Sequence, residues 1–235
     1  MPVRTERDGR TGPALALPAL HEVYRAYVRA ADELPGLPDP LRAELWTSAQ
    51  LGALEAAAPH RAGHRMAMGD LIVELHRAAT AGTRAFLRAI AAIGPQWARR
   101  AAGRAAATLP GLPLPPWAEA LGKVAPGPIW LIQEGPLDGD RLVCEFRYDP
   151  ERSGPHHALA VRLQQGEPSE IVVIGDVPGL LAEARKAAQA ELCLLQPLTR
   201  QAAAARLTAA LEEERRPPGD CYPALALARH RARLL

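Results

Sequence analysis

The chain has 235 residues, of which 48% are hydrophobic, 23% charged and only 4% aromatic. This length and balance exclude wholesale disorder and permit a core large enough to fold without disulfides or metal. No apolar run reaches the roughly 18–20 residues that cross a bilayer, and three widely spaced cysteines (Cys144, Cys193, Cys221) argue against a secreted disulfide scaffold, while the net charge is +2.

Residues 1–13 are polar and rich in Gly and Pro, and read as a disordered tail. The apolar stretch Ala14–Leu20 contains Pro18 and is too short for a secretory signal, so a reducing cytoplasm is expected. Leu20, Val23, Tyr24, Tyr27, Val28 and Ala31 recur at helical spacing and predict an amphipathic helix over 19–34, ended by Pro35, Gly36 and Pro38. Asp39 has the character of an N-cap with Pro40 at the first helical position, which starts a second helix running to Ala58. His60 to Gly69 reads as a polar connector. Asp70 is then expected to cap a long helix over 70–93, with Ile72, Leu75, Ala79, Phe86, Ile90 and Ile93 on its inner face. Gly94-Pro95 breaks it and opens another helix bearing Trp97 and several alanines.

Four prolines fall between Leu109 and Pro116, predicting a stiff linker between a helical region at 14–108 and a second region at 117–235. A short helix over 117–122 is followed by a change of period to two. Ile129 to Gln133, Arg141 to Tyr148, His157 to Leu163 and Glu170 to Ile174 read as four strands. The turns between them, Asp138-Gly139 among them, are too short for crossover helices, so the strands form an antiparallel meander. Asp176, Thr199 and Asp220 are placed to start three helices that cover one face of the sheet. The fold class is therefore α+β: a helical N-terminal half beside a four-stranded antiparallel meander covered by C-terminal helices.

Charge is distributed unevenly. Residues 60–110 hold eight arginines against Asp70 and Glu74, so the whole positive excess lies in this fifth of the chain. Arg77, Arg84 and Arg88 return to one side of the expected 70–93 helix, and Arg99, Arg100 and Arg104 continue the charge on the next. Clustered guanidinium groups suit an acidic protein surface or an anionic ligand. Against nucleic acid stand the near-neutral total and the lack of interleaved aromatics.

Catalytic signals are sparse. His60 and His64 have a metal-ligand spacing that works only on a continuous helix, which Pro59 and Gly63 disfavour. Cys144 and His157 would form a nucleophile pair only with a reachable thiol and a third orienting group. Asp138, Asp140 and Asp176 read first as turn and cap residues. Phosphate-loop, nucleophile-elbow, zinc-protease and paired-cysteine motifs are absent, and no cofactor is expected.

The run Pro115-Pro116-Trp117-Ala118-Glu119-Ala120-Leu121-Gly122, with Ile129-Trp130, Gly139-Asp140 and His157-Ala158-Leu159-Ala160-Val161, resembles a pattern in uncharacterised proteins of high-GC bacteria. The resemblance implies a recurring module and brings no catalytic residues. The expected function is a non-enzymatic cytoplasmic interaction or regulatory module that presents its arginine face to an acidic partner. The alternatives are nucleic-acid binding through the same face, or an enzyme with its site at the hairpin edge.

Overall fold

The computed structural model describes residues 18–135, 138–149, 154–212 and 216–235. The expected tail at 1–13 lies outside them. So do parts of the turns expected at 137–140 and 149–155. Helix α1 (Pro18–Ala30) runs into a 3-10 turn over Ala31–Gly36, and α2 spans Pro40–Ala57. The Asp39 carboxylate accepts from the Arg42 amide at 2.9 Å, as the Asp-Pro start predicts. Helix α3 (Arg61–Ala78) and α4 (Ala81–Ile93) replace the single helix expected over 70–93, and α5 follows at Gln96–Ala107.

Two local features account for that difference. His60 caps α3 by accepting the Gly63 amide on Nδ1 at 3.0 Å, so the supposed connector is helical and Asp70 lies inside it, accepting from the Tyr24 hydroxyl. At the other end Ala79 adopts the left-handed conformation, and Thr80 with Thr83 forms a reciprocal capping box that starts α4. The helices enclose a core built on Leu71, Leu75, Phe86, Leu87 and Ile90, with the Trp46 ring edge-on to Phe86 at 5.0 Å. The proline-rich segment lies against this bundle, with Leu109 and Leu114 packed on the core.

The α+β expectation holds, with five strands in place of four. β1 (Val124–Gln133), β2 (Asp140–Tyr148), β3 (His157–Gln164), β4 (Glu167–Ile174) and β5 (Leu194–Pro197) form one antiparallel sheet in the order β4-β3-β2-β1-β5. Pro126 and Pro128 are tolerated because β5 pairs only with the Trp130–Gln133 end of β1, which leaves the proline end as an edge with a register shift. In the β1–β2 hairpin, Gly139 has φ +76°, and a Cβ there would stand 2.3 Å from the Leu163 carbonyl oxygen. Only glycine fits.

The C-terminal helices divide between the two sheet faces, where the sequence suggested one. Strand alternation sends Leu142, Cys144 and Phe146 toward α7 (Arg200–Ala210) and α8 (Tyr222–Ala232), and Val143, Ala158 and Ala160 toward α6 (Val177–Gln189). Among the described residues no helix is long and apolar enough to cross a membrane.

Helix α8 lies against both the sheet and α2. The approach to α2 is close because of Gly52: a Cβ there would fall 2.0 Å from the Tyr222 carbonyl oxygen. Gly52→Ala must therefore move two backbones apart. We expect it to destabilise the protein by about 1–3 kcal/mol, the usual range for overpacking, read as a lowered urea midpoint. An unchanged midpoint would show that the α2–α8 contact yields freely.

Candidate anion-binding cleft

The six arginines singled out by sequence do not form one free face. Arg77, in the last turn of α3, pairs with Glu74. Arg84 and Arg88 stand on α4. Arg84 donates to the carbonyls of Leu112 and Pro110 and ties down the proline-rich segment, and Arg88 meets Glu119 at 3.2 Å. On α5, Arg99 donates to the Ala92 carbonyl, and burial, with Arg233 nearby, pushes its pKa down to about 10. Arg100 and Arg104 are exposed and have no partner among the described residues. The expected helix at 70–93 misplaced this set because the break at Ala79 moves Arg77 onto a different helix from Arg84 and Arg88.

The catalytic candidates do not converge. Cys144 is fully buried in the sheet core, and desolvation pushes its thiol up to about 12. His157 is not hydrogen-bonded to it. Its Nδ1 donates to the Pro155 carbonyl at 3.1 Å, and its Nε2 accepts from Arg231 at 3.4 Å. Asp140 accepts from Gln133 at 2.7 Å and Arg206 at 2.9 Å at the rim of an open cleft of about 890 Å³, with no nucleophile among the described residues of its walls. Asp138 is exposed in the turn, and Asp176 caps α6 by accepting the Gly179 amide.

A denser polar cluster lies where α2, α8, β2 and β3 meet. Glu44, Tyr148, His157, His230 and Arg231 are all buried. The Arg231 guanidinium bonds the Glu44 carboxylate, donates to His230 Nδ1 at 2.9 Å and lies over the Phe146 ring at 5.5 Å. Tyr148 donates to Glu44 at 2.8 Å, and the Gly122 amide satisfies the second carboxylate oxygen at 2.6 Å. Burial, helped by the Arg231 charge, lowers His157 to about 3 and His230 to about 2, so both rings are neutral. Burial and the neighbouring Glu44 drive the Tyr148 hydroxyl up. Sealed from solvent and internally satisfied, the cluster joins the helical half to the sheet.

The concave feature with unsatisfied polar capacity lies elsewhere. A cleft of about 220 Å³ opens between the end of α2 and the starts of α3 and α5, closed on its remaining side by α8 and the segment before it. Among the described residues, Arg61, Arg216 and Arg229 line it with His60, His64, Trp97, Tyr222 and the acid Glu55. Arg229 is anchored: Nη1 meets both Glu55 oxygens at 2.9 and 2.8 Å, and Nε donates to the Leu211 carbonyl at 2.8 Å. Its side chain is only 10% exposed, and its Nη2 is buried with no hydrogen-bond partner. Arg216 covers the carbonyls of Ala58 and Pro59 at the end of α2. Two helix N-termini face the same space and add positive partial charge. At the start of α5 the Gln96 and Trp97 amides have no partner among the described residues.

The cationic character extends outward. Arg65, one turn beyond Arg61 on α3, places its guanidinium 5.6 Å from the Trp97 ring centroid. Arg100 and Arg104 follow Trp97 at spacings of three and seven, which keeps them on its side of α5. A row of cations thus leads from the cleft along α5. The sequence carries no local signal for the cleft, because Arg216 and Arg229 come from a stretch with an excess of acids and meet the others only through the position of α8.

No family model, curated protein or solved structure matches this chain, so only its own geometry bears on function.

Proposed function

We propose that the protein is a non-enzymatic binding module that receives an acidic segment of a partner protein along the row formed by Arg65, Arg100, Arg104 and the cleft arginines. The observation behind this reading is that Arg100 and Arg104 stay exposed and unpartnered among the described residues while Arg77, Arg84, Arg88 and Arg99 are drawn into internal bonds. Guanidinium groups in a row offer forked donors to successive carboxylates, and Trp97 gives the chain passing over it an apolar rest. Such a contact gains mainly in on-rate and specificity, and is salt-dependent.

The test is a fluorescence-anisotropy titration with a labelled oligoglutamate peptide at several salt concentrations. The unaltered protein is expected to bind, more weakly as salt rises. The double charge reversal Arg100→Glu with Arg104→Glu is expected to weaken binding by about ten-fold or more, since each reversal replaces attraction by repulsion. These side chains are exposed, so the fold should persist. Binding that ignores the reversal, or no binding at low salt, would sink the proposal. Tighter binding of a duplex DNA of the same charge would move the assignment to nucleic acid.

A further inference from the structure

We infer that the outward face of α3, beside α5, is a docking groove for an amphipathic helix of a partner protein with acidic residues along one edge. This rests on the acidic segment proposed above and gives that segment a conformation and an apolar face.

Helix α3 carries apolar and small residues on the side where a one-sided helix would carry charge. Ala62, Met66, Gly69 and Val73 recur at spacings of four, three and four, which keeps them on one stripe. All four are exposed, Met66 at 70% and Val73 at 53%, while Met68, Leu71, Ile72 and Leu75 fill the opposite side and the core. Single exposed apolar side chains are ordinary. A row of them in register along a helix is the pattern that receives another helix. Gly69 is a separate sign. Glycine inside a helix is costlier than alanine, and a Cβ here would meet nothing within 4 Å. No contact among the described residues calls for it, whereas a flat spot between Met66 and Val73 lets a second backbone come close.

Charge says what kind of helix fits. Arg65 lies 5.6 Å from the Trp97 ring centroid, and His76 Nε2 meets the Thr108 hydroxyl at 2.9 Å. Both contacts join residues equally far apart in sequence, so α3 and α5 run parallel and in step. Arg100 is then level with the turn holding Gly69, and Arg104 with the turn holding Val73. Arg65, Arg100 and Arg104 are exposed and in no ion pair among the described residues. On the α1 side of the stripe the acids are already bonded, Asp70 to the Tyr24 hydroxyl and Glu74 to Arg77. A helix seated on the stripe therefore meets free guanidinium groups along its α5 edge only, and carboxylates on that edge suit them. The stripe is about 17 Å long at 1.5 Å per residue, which matches an occupant of about three turns.

The experiment titrates the full chain, by anisotropy and circular dichroism, with a labelled peptide of about four helical turns. The peptide has leucines at spacings of three and four and glutamates along one flank. Its controls are a scrambled peptide of the same composition and the oligoglutamate used above. The amphipathic peptide is expected to bind at least about ten-fold tighter than the scrambled one, and to become helical on binding. Met66→Ser with Val73→Ser, both exposed, should abolish that ten-fold gain and leave oligoglutamate binding unchanged. Gly69→Gln should weaken the peptide several-fold without lowering the melting temperature, because the added side chain fills the groove and not the core. Equal affinity of the scrambled peptide, binding without helix formation, or indifference to both variants would overturn the inference. Oligoglutamate binding reports the acidic-partner reading separately, so that reading would survive those results. Peptide binding that needs Met66 and Val73 but ignores the Arg100→Glu, Arg104→Glu reversal would overturn the acidic assignment in both. A dimer of the unaltered chain that the Met66→Ser, Val73→Ser variant dissolves would place a second copy on the stripe and overturn the inference as well.

Discussion

Glu44→Gln is expected to cost about 3–5 kcal/mol of folding stability, the penalty for removing one member of a buried ion pair. The change preserves shape but turns an NH2 toward either the Gly122 amide or the Tyr148 and Arg231 donors, so the loss combines the missing charge with a missing acceptor. Arg231 is 1% exposed, and Glu44 is its one carboxylate partner among the described residues. With Glu44 neutral, a full positive charge would remain among Phe146, Tyr148 and two neutral imidazoles. Urea denaturation should show a lower midpoint with an unchanged slope. The double variant Glu44→Gln with Arg231→Met should recover much of the loss, because an apolar pair carries no desolvation penalty. If the single variant costs less than about 1 kcal/mol, the range of an exposed pair, the cluster is not the join described above.

Acid should unfold the protein through the two histidines of the same cluster. Their folded pKa values, about 3 for His157 and about 2 for His230, lie below the ordinary value of 6.5. The unfolded chain therefore binds protons that the native state refuses. Stability from these groups is complete above about pH 6.5 and falls as the pH drops below it, by up to about 1.4 kcal/mol per pH unit for each ring. The charges facing them reinforce the direction: Arg231 opposes protonation of both, His156 adds to it at His157, and Arg99 and Arg233 at His230. Urea midpoints measured from pH 8 to pH 4.5 should be level at the alkaline end and decline steadily below about 6.5. His157→Asn removes one titrating ring and should roughly halve the slope of that decline. A flat profile between pH 7 and pH 5 would mean that the rings titrate in the native state as they do in the unfolded chain.

Much of the architecture is legible in the sequence because it is local. Asp39-Pro40, Thr199 and Asp176 start helices where capping chemistry places them, and the alternation through Leu142, Cys144, Phe146 and Tyr148 identifies a strand and one of its two buried faces. The break at Ala79–Thr80 is also written locally, as Thr80 and Thr83 at capping-box spacing, but it lies within an unbroken helical stripe that masks it. Strand β5 is only four residues long and follows directly on a helical pattern, so its pairing with β1 has no periodic signature of its own. The candidate site is the least legible part. Arg61, Arg216 and Arg229 belong to three separate segments, and their meeting depends on how α8 seats against α2, which Gly52 permits. Conversely, two of the arginines that look most prominent along the chain, Arg84 and Arg88, are engaged by neighbours invisible at helical spacing, the Leu112 carbonyl and Glu119.

The bond between Glu44 and Arg231 spans 187 residues, and this has a consequence for biosynthesis. As the polypeptide leaves the ribosome, α2 emerges long before α8 has been translated. Throughout that interval Glu44 lacks its counter-ion and the Gly52 side of α2 lacks its cover, so the early helices remain an incomplete assembly. Maturation is therefore a late, concerted event gated by the arrival of α8, and the nascent intermediate, with apolar helix faces still bare, is the form most in need of chaperone protection.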